Sequence, residues 1–97
     1  KVDANGHIWL AVWGGSVVLY LDGETGDILD RVELPVTQVT SCTFGGEDDR
    51  TLFITSARGG LSDEQLAAQP HAGSIFQVRT DTTGLPLVPC SLPPPQE

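Results

Sequence analysis

Few side chains in this sequence have both the type and the spacing for chemistry, and each set has a plainer reading beside it. Cys42 with His7 or His71 would give a thiol nucleophile and its base. A nucleophile needs a base within hydrogen-bond reach, and no spacing here brings those residues together. Asp3-Ala4-Asn5-Gly6 opens like an oxygen-rich calcium loop. The helix-loop-helix calcium pattern needs Gly at its sixth position and Glu at its twelfth, and this stretch has neither. It reads instead as a turn in which Asn and Gly tolerate positive φ. Glu47-Asp48-Asp49 reads as a solvated turn tip. Gly14-Gly15, Gly45-Gly46 and Gly59-Gly60 each follow a β-rich run, so they serve as turns and form no phosphate-binding fingerprint.

Composition narrows the classes further. Ninety-seven residues suit one modest domain, and 39% hydrophobic with 19% charged residues suits a folded chain. The net charge is −8 and the five basic residues are scattered singly, which excludes a phosphate backbone as partner. The acidic surface serves solubility or attracts cations. The longest apolar run, Ile8 to Trp13, is too short to cross a bilayer, so no membrane partner is expected. No basic stretch followed by an apolar one opens the sequence, and a cytoplasmic location is the expectation. Two cysteines make no disulfide scaffold; Cys42 suits a small buried hydrophobe, and a bridge to Cys90 stays open. Methionine is absent and Lys1-Val2-Asp3 reads like the end of a strand already under way, so a segment of a longer polypeptide is expected.

The elements that would position these residues are short strands. His7 to Trp13 and Ser16 to Asp22 are apolar on both faces, which demands cover on both sides. Asp22 to Asp27 is a hairpin turn, and Ile28 to Leu34 is half polar and faces water. Pro35 to Gln38 leads into a second hairpin, Val39 to Phe44 and Thr51 to Ala57, joined by Gly45 to Arg50. Ser62-Asp63-Glu64-Gln65 has capping-box form and predicts a helix over about residues 63 to 69, stopped by Pro70. Ser74 to Arg79 is a further strand. Leu85 to Leu92, with Pro86 and Pro89, fits only an edge piece, and Pro93 to Glu97 is expected to be a disordered tail.

The plan repeats. Ile8-Trp9-Leu10-Ala11 matches Leu52-Phe53-Ile54-Thr55 at an offset of 44, and Ser16-Val17-Val18 matches Ser74-Ile75-Phe76 at an offset of 58. The difference places a 14-residue insertion after Arg58. A period of roughly 40 to 45 residues with four strands per unit points to β-propeller blades.

The string Asp3-Ala4-Asn5-Gly6-His7-Ile8-Trp9-Leu10-Ala11, Trp13-Gly14-Gly15, Pro35-Val36, Thr40-Ser41-Cys42-Thr43-Phe44-Gly45-Gly46, Thr55-Ser56-Ala57-Arg58 and Ala68-Gln69-Pro70-His71-Ala72-Gly73-Ser74-Ile75-Phe76 closely resembles the C-terminal part of the gluconolactonase, senescence-marker-protein and regucalcin-like family. The resemblance implies an all-β, six-bladed propeller of four-stranded meanders. Residues 1–92 would form about its last two blades, the first lacking most of its inner strand. It further implies one divalent cation, calcium or zinc, on the propeller axis, and hydrolysis of sugar lactones and related esters. The family's ligands, a Glu, an Asn and the Asp of a Pro-Asp-Gly motif, would all precede residue 1, so no metal ligand or catalytic residue falls in this segment. Ser41 stands at the position in the next inner strand that corresponds to that Asp. It either lines the axial pocket or is held by packing and backbone bonds. The insertion from Arg58 to Gly73 would border the pocket, where Arg58 either meets an anionic substrate or makes a structural ion pair.

Three readings follow. One is an inactive segment of a metal-dependent lactone hydrolase, whose partners are the rest of the propeller and a small sugar lactone. Another is a binding or assembly module that self-associates through sheet faces exposing Trp9, Trp13, Val18 and Tyr20. The third is a calcium-binding regulatory protein.

Overall fold

β-Branched and aromatic runs separated by Gly- and Asp-rich turns build six short strands in the computed structural model, which describes residues 1–82. Strands β1 (Ile8–Val12), β2 (Val17–Leu21) and β3 (Ile28–Glu33) form one antiparallel meander, sheet 1. Strands β4 (Val39–Gly45), β5 (Thr51–Ser56) and β6 (Ile75–Arg79) form a second, sheet 2. Helix α1 (Asp63–Ala68) lies in the β5–β6 connection. Each described sheet has three named strands. Lys1 and Val2 run alongside β1 as a short fourth rung, with Trp9 N donating to the Lys1 carbonyl at 2.7 Å. The expected Leu85–Leu92 edge piece and the Pro93–Glu97 tail lie outside the described residues.

The two sheets stack face to face. Trp9, Ala11, Val18, Tyr20 and Val32 point from sheet 1 toward Cys42, Phe44, Leu52, Ile54, Phe76 and Val78 of sheet 2. Val36 and Val39, on and just after the connection between sheets, close one end of this layer and are fully buried. The Trp9 ring meets Tyr20 and Phe44 edge to face, with centroids 4.4 and 5.8 Å apart. Such contacts add to the gain from area alone.

Asp3 fixes the entry of β1. Its carboxylate is completely buried, and such a group is tolerated only when its lone pairs are bonded. One oxygen accepts from the backbone N–H groups of Asn5 and His7, and the other accepts from Trp9 Nε1 at 3.0 Å. The same side chain thus shapes the turn and orients the largest core ring. Gly6, at φ 78°, supplies the left-handed step that the turn requires.

Two expectations need correction. The hairpin registers pair Leu10 with Leu19 and Ile54 with Phe76. With Leu10 equivalent to Ile54, the second offset is 57 rather than 58, and the insertion is 13 residues. A one-residue slip exchanges the two faces of a strand, so the offset of 58 would have put Val18, a core residue, in the place of Phe76 on the wrong face. Exposure of the indoles also differs. Trp9 and Val18 are buried because sheet 2 of the same chain covers them, and Tyr20 is partly covered; Trp13 alone of the four is open, at 61%.

Replacing Asp3 by Ala strips three accepted hydrogen bonds from buried or half-buried donors. The expected loss is about 2–4 kcal/mol in urea unfolding, against within about 0.5 kcal/mol for Asp27→Ala on the solvated turn.

Candidate functional site

Ser41 and Arg58 lie toward the same end of the stack, at the start of β4 and just past β5. That end is built by three connections. The Gly14-Gly15 turn closes β1 to β2, with Gly15 N bonded to the Val12 carbonyl. Pro35 to Gln38 crosses from the outer strand of sheet 1 to the first strand of sheet 2. The third connection is the insertion that follows β5.

Gln38 joins all three parts. Its backbone bridges Trp13, its carbonyl accepts from Ala57 N, and its Nε2 donates to the carbonyls of Ala57 and Gly59 at 3.0 Å each. The far side of the insertion is held by Gln69, whose Oε1 accepts from Thr37 N at 2.9 Å and from Thr37 Oγ1. Between these ties the capping box predicted from Ser62 and Gln65 is present in both directions and starts α1. Ser56 Oγ accepts from Gly73 N and donates to the Ser74 carbonyl, returning the chain to β6. The insertion therefore abuts the beginning of the first strand of sheet 2, where the meander reading put it.

Ser41 is exposed, on the face of sheet 2 turned away from sheet 1, and pairs with Thr55 across the hairpin. An irregular register between Val39 and Ser41 leaves Thr40 exposed beside it, and the Thr40 and Thr55 hydroxyls are 2.6 Å apart. Arg58 is exposed, its aliphatic stem lying against Gly73. Among the described residues the ion pair formed is Arg79 with Asp48, at the opposite end, and Arg58 takes no part in it. The structure thus brings Ser41 and Arg58 to one end of the stack without bonding one to the other. Three hydroxyls and a guanidinium there can donate to and accept from a polar ligand.

A separate cleft among the described residues lies elsewhere. It encloses about 460 Å³ at the opposite end, between the outer parts of the two sheets, over Trp9, Tyr20, Val32 and Val78. Asp30, Arg31, Arg79 and Asp81 rim it. Beside it Tyr20 and His7 are hydrogen-bonded through the phenol oxygen and Nδ1. Burial, then the charges of Asp3 and Asp22, raise the Tyr20 pKa and keep it a neutral phenol. Arg79 holds Asp48 below the ordinary carboxylate range. Sequence reasoning did not find the His7–Tyr20 contact or the roles of Gln38 and Gln69. The first had a usable signal: His7 and Tyr20 flank Ile8 and Leu21, which the hairpin pairs.

Cys42 is a free thiol within the layer between the sheets, its Sγ 3.5 Å from the Trp9 carbonyl. Burial pushes its pKa up, and both imidazoles are absent from its hydrogen bonds. It is a core residue and not a nucleophile. Among the described residues no three His, Cys, Asp or Glu side chains converge.

Two antiparallel meanders packed face to face, with the outer strand of one leading to the first strand of the next, are neighbouring blades of a β-propeller. Residues 1–58 match the SMP-30/Gluconolactonase/LRE-like region, and the chain belongs to that family. It is 44% identical over 89 residues to regucalcin of Sus scrofa, covering 91% of this chain and 30% of the relative. It is 38% identical over 88 residues to the putative sugar lactone lactonase YvrE of Bacillus subtilis, again covering 91% of this chain and 30% of the relative. Among solved structures, the calcium-binding protein regucalcin of Agrobacterium tumefaciens superposes with a TM-score of 0.80 at 38% identity, over 87% of this chain and 28% of that one. A luciferin-regenerating enzyme superposes at 0.74 with 30% identity over the same shares. The chain thus spans under a third of the length of these relatives.

A Cys90→Ser chain retains Cys42 as its single thiol. Dithiodipyridine should modify it at least about a hundredfold more slowly than a free cysteine at neutral pH, and at the free rate in urea.

Proposed function

We propose that this chain contributes two adjacent blades to a divalent-metal-dependent hydrolase of sugar lactones. The observation that carries the reading is family membership together with likeness to a putative sugar lactone lactonase along nearly the whole chain. The cation, calcium or zinc, belongs with ligands outside this segment, so the segment alone is inactive and no catalytic step is assigned to its residues. Its contribution is to the rim. Ser41 offers a hydroxyl to the sugar, and Arg58 offers a guanidinium to an anionic group on it, while the doubly tied insertion holds Arg58 in place. The proposal includes a cytoplasmic location, in keeping with Cys42 as a free buried thiol. A second reading, a calcium-binding regulatory protein, draws on the description of the solved Agrobacterium relative as calcium-binding.

The test has two arms. The 97-residue chain with added calcium or zinc should show no lactone turnover; robust turnover would overturn the assignment of the ligands elsewhere. In a complete propeller carrying this segment, Arg58→Ala should raise KM for a carboxylated lactone roughly tenfold and leave kcat and neutral lactones little changed. Equal effects on both lactone types would remove Arg58 from the rim. Measurable calcium affinity without any lactonase activity in the complete protein would favour the second reading.

A further inference from the structure

Arg58 stands on an exposed loop, yet the backbone on both sides of it is pinned by a single residue of another segment. Gln38 is half-buried at the end of the connection between the sheets. Its Nε2 donates to the Ala57 carbonyl and to the Gly59 carbonyl, each at 3.0 Å, so the amide straddles Arg58. Its own carbonyl accepts from Ala57 N at 3.0 Å. Arg58 then opens a four-residue turn: Leu61 N reaches the Arg58 carbonyl at 3.3 Å, and Gly60, at φ 80°, takes the left-handed step. Beyond the backbone, the Arg58 stem runs past Gly73, its Cδ 3.4 Å from the place a Cβ would occupy there. Among the described residues its guanidinium takes no part in an ion pair. The base of the side chain is therefore fixed while its charged head is left for another group. A long side chain gives up rotamer freedom when it binds, and a fixed base leaves less to give up.

We propose that Gln38 is the positioning residue for Arg58, and that the side chain at position 38 sets the preference for carboxylated over neutral lactones without touching either. This deepens the reading of Arg58 as part of the substrate rim and rests on it. The demand on residue type is narrow, because two carbonyl oxygens on either side of one residue must be met by one side chain. Ala offers no donor, and Glu would set a carboxylate against both oxygens. Lys brings three donors on a stem one atom longer and can restore the clamp. A loosened loop leaves the guanidinium present but less often in place, so the loss falls on binding of the anionic group and spares the chemical step.

The experiment uses a complete propeller carrying this segment. Gln38→Ala should raise KM for a carboxylated lactone about three- to tenfold, with kcat and neutral lactones little changed, and Gln38→Lys should recover most of the loss. In an Arg58→Ala background, Gln38→Ala should add nothing, since the group it positions is gone. Hydrogen exchange supplies a readout that needs no substrate: the Ala57 and Leu61 amides should exchange roughly tenfold faster in Gln38→Ala, near the parent rate in Gln38→Lys, and the β4–β5 ladder should not change. Unaltered exchange at Ala57 and Leu61 would overturn the proposal, as would a Gln38→Ala effect that is equal on both lactone types or survives in the Arg58→Ala background. If Arg58→Ala discriminates between the lactones and Gln38→Ala does not, this proposal alone fails. If Arg58→Ala itself does not discriminate, the rim reading fails and takes the proposal with it.

Discussion

Everything in this chain depends on one sheet covering another. A three-stranded meander of five- and six-residue strands has too little area to bury both of its apolar faces by itself. Sheet 1 solves half of that problem by laying Trp9, Val18 and Tyr20 against Leu52, Ile54 and Phe76. Two residues of the connecting segment region, Val36 and Val39, seal the layer at the end where the chain passes between sheets. Phe44 meets Trp9 from the opposite sheet, so the largest rings of the core lock across the interface instead of within one sheet.

The polar groups of the fold serve that packing. Asp3 would be a costly buried charge if its only task were to end a turn; by accepting from Trp9 Nε1 it sets the angle at which the indole enters the core. Asp22 does a simpler version of the same work in the next turn. It accepts from the backbone N–H groups of Glu24 and Thr25 in the open, and those bonds lower its pKa. At the lower end Asn5 Nδ2 reaches Thr82 Oγ1 at 3.1 Å, tying the first turn of sheet 1 to the residues after β6. Local turn chemistry and long-range packing are joined through a few short polar side chains.

Local features were the legible ones. Alternation and turn residues placed each described strand within a residue or two, and Ser62 with Gln65 announced the helix start correctly. The motifs quoted from Asp3 to Phe76 were enough to point to the family and to blades of a propeller. Pairing across distance was not legible. The offset between the two copies of the second strand was off by one residue because Ser16 and Ser74 look alike, although the face each strand presents is decided by hydrogen-bond register. The burial of Trp9 could not be read from its neighbours in sequence, since its cover, Phe44, lies 35 positions away. Gln38 and Gln69 carry no local signal either: a glutamine amide bonds to whatever backbone group the fold brings near. Ser41 and Arg58 were placed by resemblance, and composition or spacing alone would not have chosen them.

The insertion after β5 hangs from the scaffold by amide and hydroxyl groups, and its helix buries no side chain completely. Apart from the Gln69 amide, its attachment points are backbone carbonyls and an N–H group, which every sequence possesses. A lineage could therefore exchange this crest for one of different length or chemistry while the hydrophobic layer beneath went on folding unchanged. The length and chemistry of this loop are free to drift faster than the architecture.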